Sequence, residues 1–159
     1  MYLYGDITKV PPHPAILKSR PITGDNRNSV LLNLDKARHF NFLEDDMSFR
    51  DKQHMSIFRG HVGKKPHRIK FMEMYYGSEI CDARIIPSGS EFPPEWICKP
   101  IPFKAHLAYK YILALEGNDV ASNLKWVMSS NSLAVMPRPV YETWFMEGTL
   151  IPDYHYVEI

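Results

Sequence analysis

Ala108-Tyr109-Lys110-Tyr111-Ile112-Leu113-Ala114-Leu115-Glu116-Gly117-Asn118-Asp119-Val120-Ala121-Ser122-Asn123-Leu124-Lys125-Trp126 reads as strand, glycine turn and capped helix. An apolar run with β-branched and aromatic members, Tyr111 to Leu115, enters a turn of Glu, Gly, Asn and Asp. An Ala/Leu/Lys segment that can carry a helix, Ala121 to Ser129, follows. This is how an open α/β sheet builds an anion site, because the unpaired N–H groups at the helix start face the carboxyl end of the strand. The same turn also occurs in α/β proteins as a purely structural connection.

Outward from this stretch, other segments alternate in the same way. Strands are expected near Tyr2–Tyr4, Val30–Leu34, Ser56–Phe58, Ile80–Ile86 and Leu133–Met136. Helices are expected over His67–Tyr76, where Ile69, Met72 and Tyr76 share a face before Gly77, and over Phe103–Tyr109. Thirteen prolines, grouped at 11–14, 87–102 and 137–139, mark the connections. Strands alternating with helices predict a mostly parallel, Rossmann-like sheet with helices on both faces.

The 159 residues, 45% hydrophobic and 23% charged, suffice for one core. A net charge of +1 removes the electrostatic case for broad nucleic-acid or acidic-membrane binding, so any anion must be held locally. No segment approaches the roughly 18 uninterrupted apolar residues of a membrane span, and the start has no signal-peptide pattern. Cys81 and Cys98 are too few and too isolated for a disulfide scaffold or a zinc site. The seven histidines are dispersed without metal-ligand spacing, so no metal site is expected. His155–Ile159 alternates like a strand and Met1–Tyr4 is strand-like at once, which suggests a piece of a larger protein.

Arg59-Gly60 places a guanidinium at a strand end, followed by Lys64, Lys65, His67 and Arg68. Such a loop either holds a diphosphate or is a solvated basic turn. Asp6, before Val10-Pro11-Pro12, is either a general base or a turn former. Glu142 and Trp144 combine a carboxylate with aromatic surface, as in sugar sites, but equally as in a capped, buried tryptophan.

Lys110 to Asp119 with Asn123-Leu124-Lys125-Trp126, then Ser130-Asn131-Ser132-Leu133, Tyr141-Glu142-Thr143-Trp144-Phe145 and Tyr154-His155-Tyr156-Val157, resemble the lipopolysaccharide-modifying branch of glycosyltransferase family 90. That family also includes capsule-associated and protein O-glucosyl/O-xylosyltransferases. Asp6-Ile7-Thr8-Lys9-Val10-Pro11, Lys18-Ser19-Arg20-Pro21 and Phe58-Arg59-Gly60 are similar to its acidic-turn, Ser/basic and arginine-glycine segments.

The resemblance implies a GT-B-type, two-domain enzyme that transfers a sugar with inversion from a nucleotide donor, expected to be a UDP-sugar, and needs neither metal nor cofactor. The implied acceptor is a hydroxyl of lipopolysaccharide or another surface glycan, and the implied location is cytoplasmic, at the inner face of the membrane. Residues 1–50 would belong to the acceptor-side half and the crossover. Residues 51–159 would form the nucleotide-sugar-binding domain, with further chain expected on both flanks.

By this resemblance Asp6 is the general base and Arg59, with Gly60, faces the donor diphosphate. Ser19 lies in the donor pocket, and Glu116, Gly117, Asn118, Asp119, Ala121 and Ser122 form the nucleotide turn. Asn123 stands where the protein-modifying relatives carry an arginine, which leaves Lys125, Arg68 or Arg20 to supply a second positive charge. Glu142 and Trp144 would meet the acceptor or the sugar. The contrasting reading is a non-catalytic remnant that binds nucleotide or only a partner chain. A Rossmann oxidoreductase is disfavoured by the missing Gly-x-Gly-x-x-Gly turn.

Overall fold

The computed structural model describes residues 1–87, 89 and 92–159, so part of the proline-punctuated connection 87–102 lies outside the described residues. The first fifty residues carry three short strands, β1 (Ala15–Leu17), β2 (Ser19–Pro21) and β3 (Ser29–Leu31), and a single-turn helix, α1 (Lys36–His39). There follow β4 (Gln53–Gly60), α2 (Pro66–Tyr75), β5 (Cys81–Ile85), α3 (Phe103–His106), β6 (Tyr109–Leu113), α4 (Leu124–Met128), β7 (Leu133–Met136), β8 (Tyr141–Thr143) and β9 (Val157–Glu158).

Five of these strands form one sheet in the order β5-β4-β6-β7-β9, and every pairing is parallel. Counted along the chain, its strands therefore lie second-first-third-fourth-fifth. In such a sheet the connections leaving β4 and those entering β6 diverge to opposite sides, which opens a crevice at the carboxyl ends of these two strands. The expected α/β, Rossmann-like sheet is present.

Each face of the sheet is buried for a reason legible in its residues. In β4, adjacent Ile57 and Phe58 point to opposite faces and both are buried, as a central parallel strand requires. In β5, Cys81, Ala83 and Ile85 are buried while Asp82 and Arg84 alternate outward. Helix α2 starts with Pro66, whose missing N–H costs nothing at the first helical position. It lays Phe71 and Met72 against Phe58, Cys81, Ala83 and Ile85. On the other face Leu107, Leu124, Trp126 and Val127 cover Ile57, Ile112, Ala134 and Met136.

The helices on this second face are shorter than the residues 103–109 and 121–129 expected from sequence. Helix α3 ends at His106 because the Ala108 carbonyl accepts Gln53 N–H at 2.8 Å and Tyr109 enters the sheet. Helix α4 starts only at Leu124, because the Asn123 amide reaches back to the Leu113 carbonyl at 2.9 Å instead of capping. At its other end the hydroxyls of Ser129 and Ser130 bond the Trp126 and Val127 carbonyls. The expected strand at Tyr2–Tyr4 reduces to a single parallel bridge between Tyr2 and Ile16, and the one at 30–34 to β3.

Two small ladders fasten the first fifty residues, β1 with β3 in parallel and β2 with β8 antiparallel. The stretch leading to β4 is held from below. Lys52, whose side chain is fully buried, donates to Asp45 at 2.8 Å and to the Leu107 carbonyl. Asp45 also accepts the Asn131 N–H at 2.9 Å, and the Asn131 side chain bonds the Asp45 and Met47 carbonyls. Removing one partner of such a pair strands a buried charge. Asp45→Ala is therefore expected to lower the unfolding free energy by about 3 kcal/mol in urea titration.

Candidate functional site

Two adjoining cavities of about 310 and 410 Å³ occupy the crevice at the carboxyl ends of β4 and β6. Arg38, His61, Arg68 and Ser122 border both. The first has an apolar floor of Ile57, Ile112 and Trp126 and includes Arg59, Gly60 and Asn123. The second is polar and includes Asp6, His39, Lys65, Gly117, Asn118 and Asp119. The fold thus brings Asp6, Arg59 and the 116–122 turn, far apart in sequence, to one cleft.

Asp6 sits in the polar corner. One carboxylate oxygen takes the Lys18 ammonium and lies 3.9 Å from an Arg38 nitrogen; the other accepts the Asn118 amide at 3.0 Å. Burial pushes this carboxyl up, but Lys18, Asn118 and Arg38 outweigh it and hold it below the usual carboxylate range. Lys18 is itself buried and also pairs with Asp119 at 2.8 Å. Ser19, fully buried, is engaged with the backbone: its hydroxyl accepts the Ile7 N–H at 3.2 Å and so fixes the residue next to Asp6.

Arg59 extends from the end of β4 along the cleft wall. It donates to the Phe58 and Asp82 carbonyls at 2.9 and 2.6 Å and pairs with the Asp82 carboxylate at 2.5 Å. Tyr109 donates its hydroxyl to the same carboxylate at 2.9 Å. Burial alone would raise Asp82, yet the Arg59 guanidinium and the Tyr109 hydroxyl hold it low. The Arg59 Nε is buried and has no partner among the described residues.

In the 116–122 turn, the Gly117 N–H closes on the Asp119 carbonyl at 3.0 Å. Among the described residues, the amides of 118 to 123 have no protein acceptor. The Glu116 carboxylate accepts the N–H groups of Val140 and Tyr141 at 2.9 and 3.2 Å, anchoring the turn to the segment before β8. Burial raises its pKa.

The three candidates for a second cation are otherwise engaged. Arg68 gives its N–H groups to the carbonyls of Glu116, Leu115 and His61, and burial lowers it to about 10. Arg20 pairs with Glu142 at 2.8 Å across the β2–β8 ladder and donates to the Ser29 carbonyl of β3 at 2.8 Å. Lys125, buried, pairs with Glu147, whose carboxylate also accepts the Thr143 N–H at 2.7 Å. Glu142, Trp144, Arg20 and Lys125 border neither cavity. Trp144 packs against Phe40 and Phe145 with centroids 5.7 and 5.8 Å apart, and its indole N–H lacks a partner among the described residues.

Sequence reasoning missed Arg38, His39 and Lys18. The first two are placed by α1, whose start is capped by the Asp35 side chain accepting the Arg38 N–H at 3.2 Å. That Asp-x-x-Arg spacing was the available signal. His39 is buried, with Nδ1 unpartnered among the described residues, and burial with the nearby Lys125 and Lys18 cations lowers it to about 4, so it is neutral. Among the described residues no three His, Cys, Asp or Glu side chains converge as a metal ligand set. Both cysteines are free.

Comparison with known proteins bears on this cleft. The chain is 47% identical over 156 residues to an O-glucosyltransferase LpsA of Dichelobacter nodosus, a match over 98% of this chain and 48% of that protein. The chain thus spans about half the length of the curated relative it matches. The sequence pattern described as glycosyl transferase family 90 matches residues 36–159, which contain the whole parallel sheet and the cation-lined wall of the cleft. The chain belongs to glycosyl transferase family 90.

Proposed function

We propose that the cleft binds a nucleotide-sugar, expected to be a UDP-sugar, and that the protein transfers the sugar to a hydroxyl of lipopolysaccharide or another surface glycan. The reading rests on one observation: the crevice at the β4–β6 switch point brings together the Asp6 carboxylate, the Arg59 guanidinium and the 117–122 turn, whose 118–122 amides have no protein acceptor among the described residues. The name of the Dichelobacter relative supports O-linked transfer of glucose.

In this reading Asp6, ionised at neutral pH, takes the proton from the acceptor hydroxyl. The oxygen so freed attacks the anomeric carbon from the face opposite the leaving nucleoside diphosphate, so configuration inverts. The bond to the diphosphate breaks as the new glycosidic bond forms, and the charge collects on the phosphate oxygens. In this reading the Arg59 Nε and the amides of 118–123, which have no partner among the described residues, are the donors that meet this charge, since preorganised donors stabilise developing charge without rearranging. The reaction would need no metal ion, since guanidinium and amides carry that role. Helix α4, only five residues long, adds little dipole, so the turn amides rather than a helix start are the anion-facing element.

Residues 1–50 supply Asp6, Arg38 and His39 to the polar cavity and residues 51–159 supply the rest of its lining, which supports a cleft shared between the acceptor-side half and the donor domain of a GT-B-type enzyme. Among the described residues no helix is long and apolar enough to cross a membrane, and an enzyme of this kind would act from the cytoplasmic face.

Asp6→Asn is expected to lower kcat by about 10²- to 10⁴-fold, the usual contribution of a positioned base, while leaving UDP-sugar affinity within a factor of two or so. A turnover assay beside calorimetry separates the two, and normal turnover would remove Asp6 from the reaction. Because the folded Asp6 pKa is depressed, the carboxylate stays ionised as pH falls to about 4, the value for an unperturbed aspartate, and the acid limb of the rate profile should lie below that. Arg59→Lys keeps a cation beside Asp82 but removes the Nε donor, and donor affinity should drop about tenfold with the melting temperature nearly unchanged.

A further inference from the structure

We infer that Arg38 supplies the second positive charge on the donor diphosphate. This rests on the nucleotide-sugar reading of the cleft and adds a residue that the sequence did not single out. Arg68, Arg20 and Lys125 have their N–H groups committed to carbonyls or buried carboxylates, and Asn123 is turned to the Leu113 carbonyl. Arg59 is neutralised by Asp82.

Charge counting makes the need concrete. The polar cavity holds two carboxylates, Asp6 and Asp119, with one buried ammonium, Lys18, between them. A diphosphate entering it would meet these two carboxylates beside Arg68, whose donors are committed to carbonyls, and Lys65 on the rim. Arg38 lines both cavities and approaches Asp6 to 3.9 Å, so it offsets that charge where the two compartments join. Its side chain is 57% exposed.

Asp35 orients it by taking Nε and Nη2, which leaves Nη1 without a partner among the described residues. A guanidinium held along one edge and open on the other is set to bind an oxyanion in a fixed direction. Lys65, on the rim of the polar cavity, would add a more mobile cation.

The test is titration of UDP and, separately, uridine against the wild-type chain, Arg38→Ala and Arg38→Lys, by calorimetry and ligand-observed NMR. Arg38→Ala should weaken UDP about tenfold and leave uridine unchanged, whereas Arg38→Lys should recover most of the loss. The deficit of the alanine variant should shrink as salt is raised, since the contact is partly exposed. Equal UDP affinity in wild type and Arg38→Ala would overturn the inference while leaving the cleft reading intact. Parallel loss of UDP and uridine would also overturn it, by showing that the residue acts through the fold. Failure of the wild-type chain to bind UDP would overturn the cleft reading itself, and this inference with it.

Discussion

The buried ammonium of Lys18 is the constraint on which the site depends. It lies between Asp6 on the first fifty residues and Asp119 on the β6–α4 connection, and it is the only cation that touches both among the described residues. Desolvating a lysine is costly unless good partners surround it, so the two carboxylates and the ammonium hold one another in place. Ser19, next in sequence, clips the Ile7 backbone, and Arg20, one further, reaches Glu142. Three consecutive residues thereby fasten the acidic turn to two distant parts of the chain.

A related principle governs the opposite wall. Arg68 spends its donors on the carbonyls of Leu115, Glu116 and His61, and Glu116 spends its carboxylate on the amides of Val140 and Tyr141. Charged side chains here act as braces for a loop that has almost no regular structure of its own. They hold a turn whose 118–123 amides have no protein acceptor among the described residues. A loop without braces would close on itself or collapse onto the sheet, because exposed backbone donors near a low-dielectric floor are costly to leave unmet.

Much of the sheet was legible because its signals are local. Ile57-Phe58-Arg59-Gly60, the alternation of residues 81–85, Pro66 with Gly77, and Leu133 to Met136 each carry their own period or stop. Strands β1, β2 and β8 were not legible as a set: three residues each show no period, and their pairing is fixed only by partners elsewhere in the chain. The helical readings near 103–109 and 121–129 overshot because sheet pairing by Tyr109 and the backward bond of Asn123 override propensity. For the cleft, Asp6, Arg59 and the 116–122 turn sit in recognisable segments, so they were found together. Arg38 was not singled out because its place in the cleft comes from where α1 lies, and nothing local reveals that Lys125 and Glu142 pair with Glu147 and Arg20 away from the two cavities.

The β2–β8 ladder has a consequence in time as well as in space. Arg20 and Glu142, which it joins, are 122 residues apart. Closing so long a loop loses chain entropy before any contact returns it, which slows the step. During synthesis β2 therefore emerges early and waits for Tyr141–Thr143 to leave the ribosome, while α2 and the β4–β5 pair can form at once. Closure of this ladder is then a late event of folding, and a nascent chain interrupted before residue 141 would hold Arg20 without its carboxylate partner.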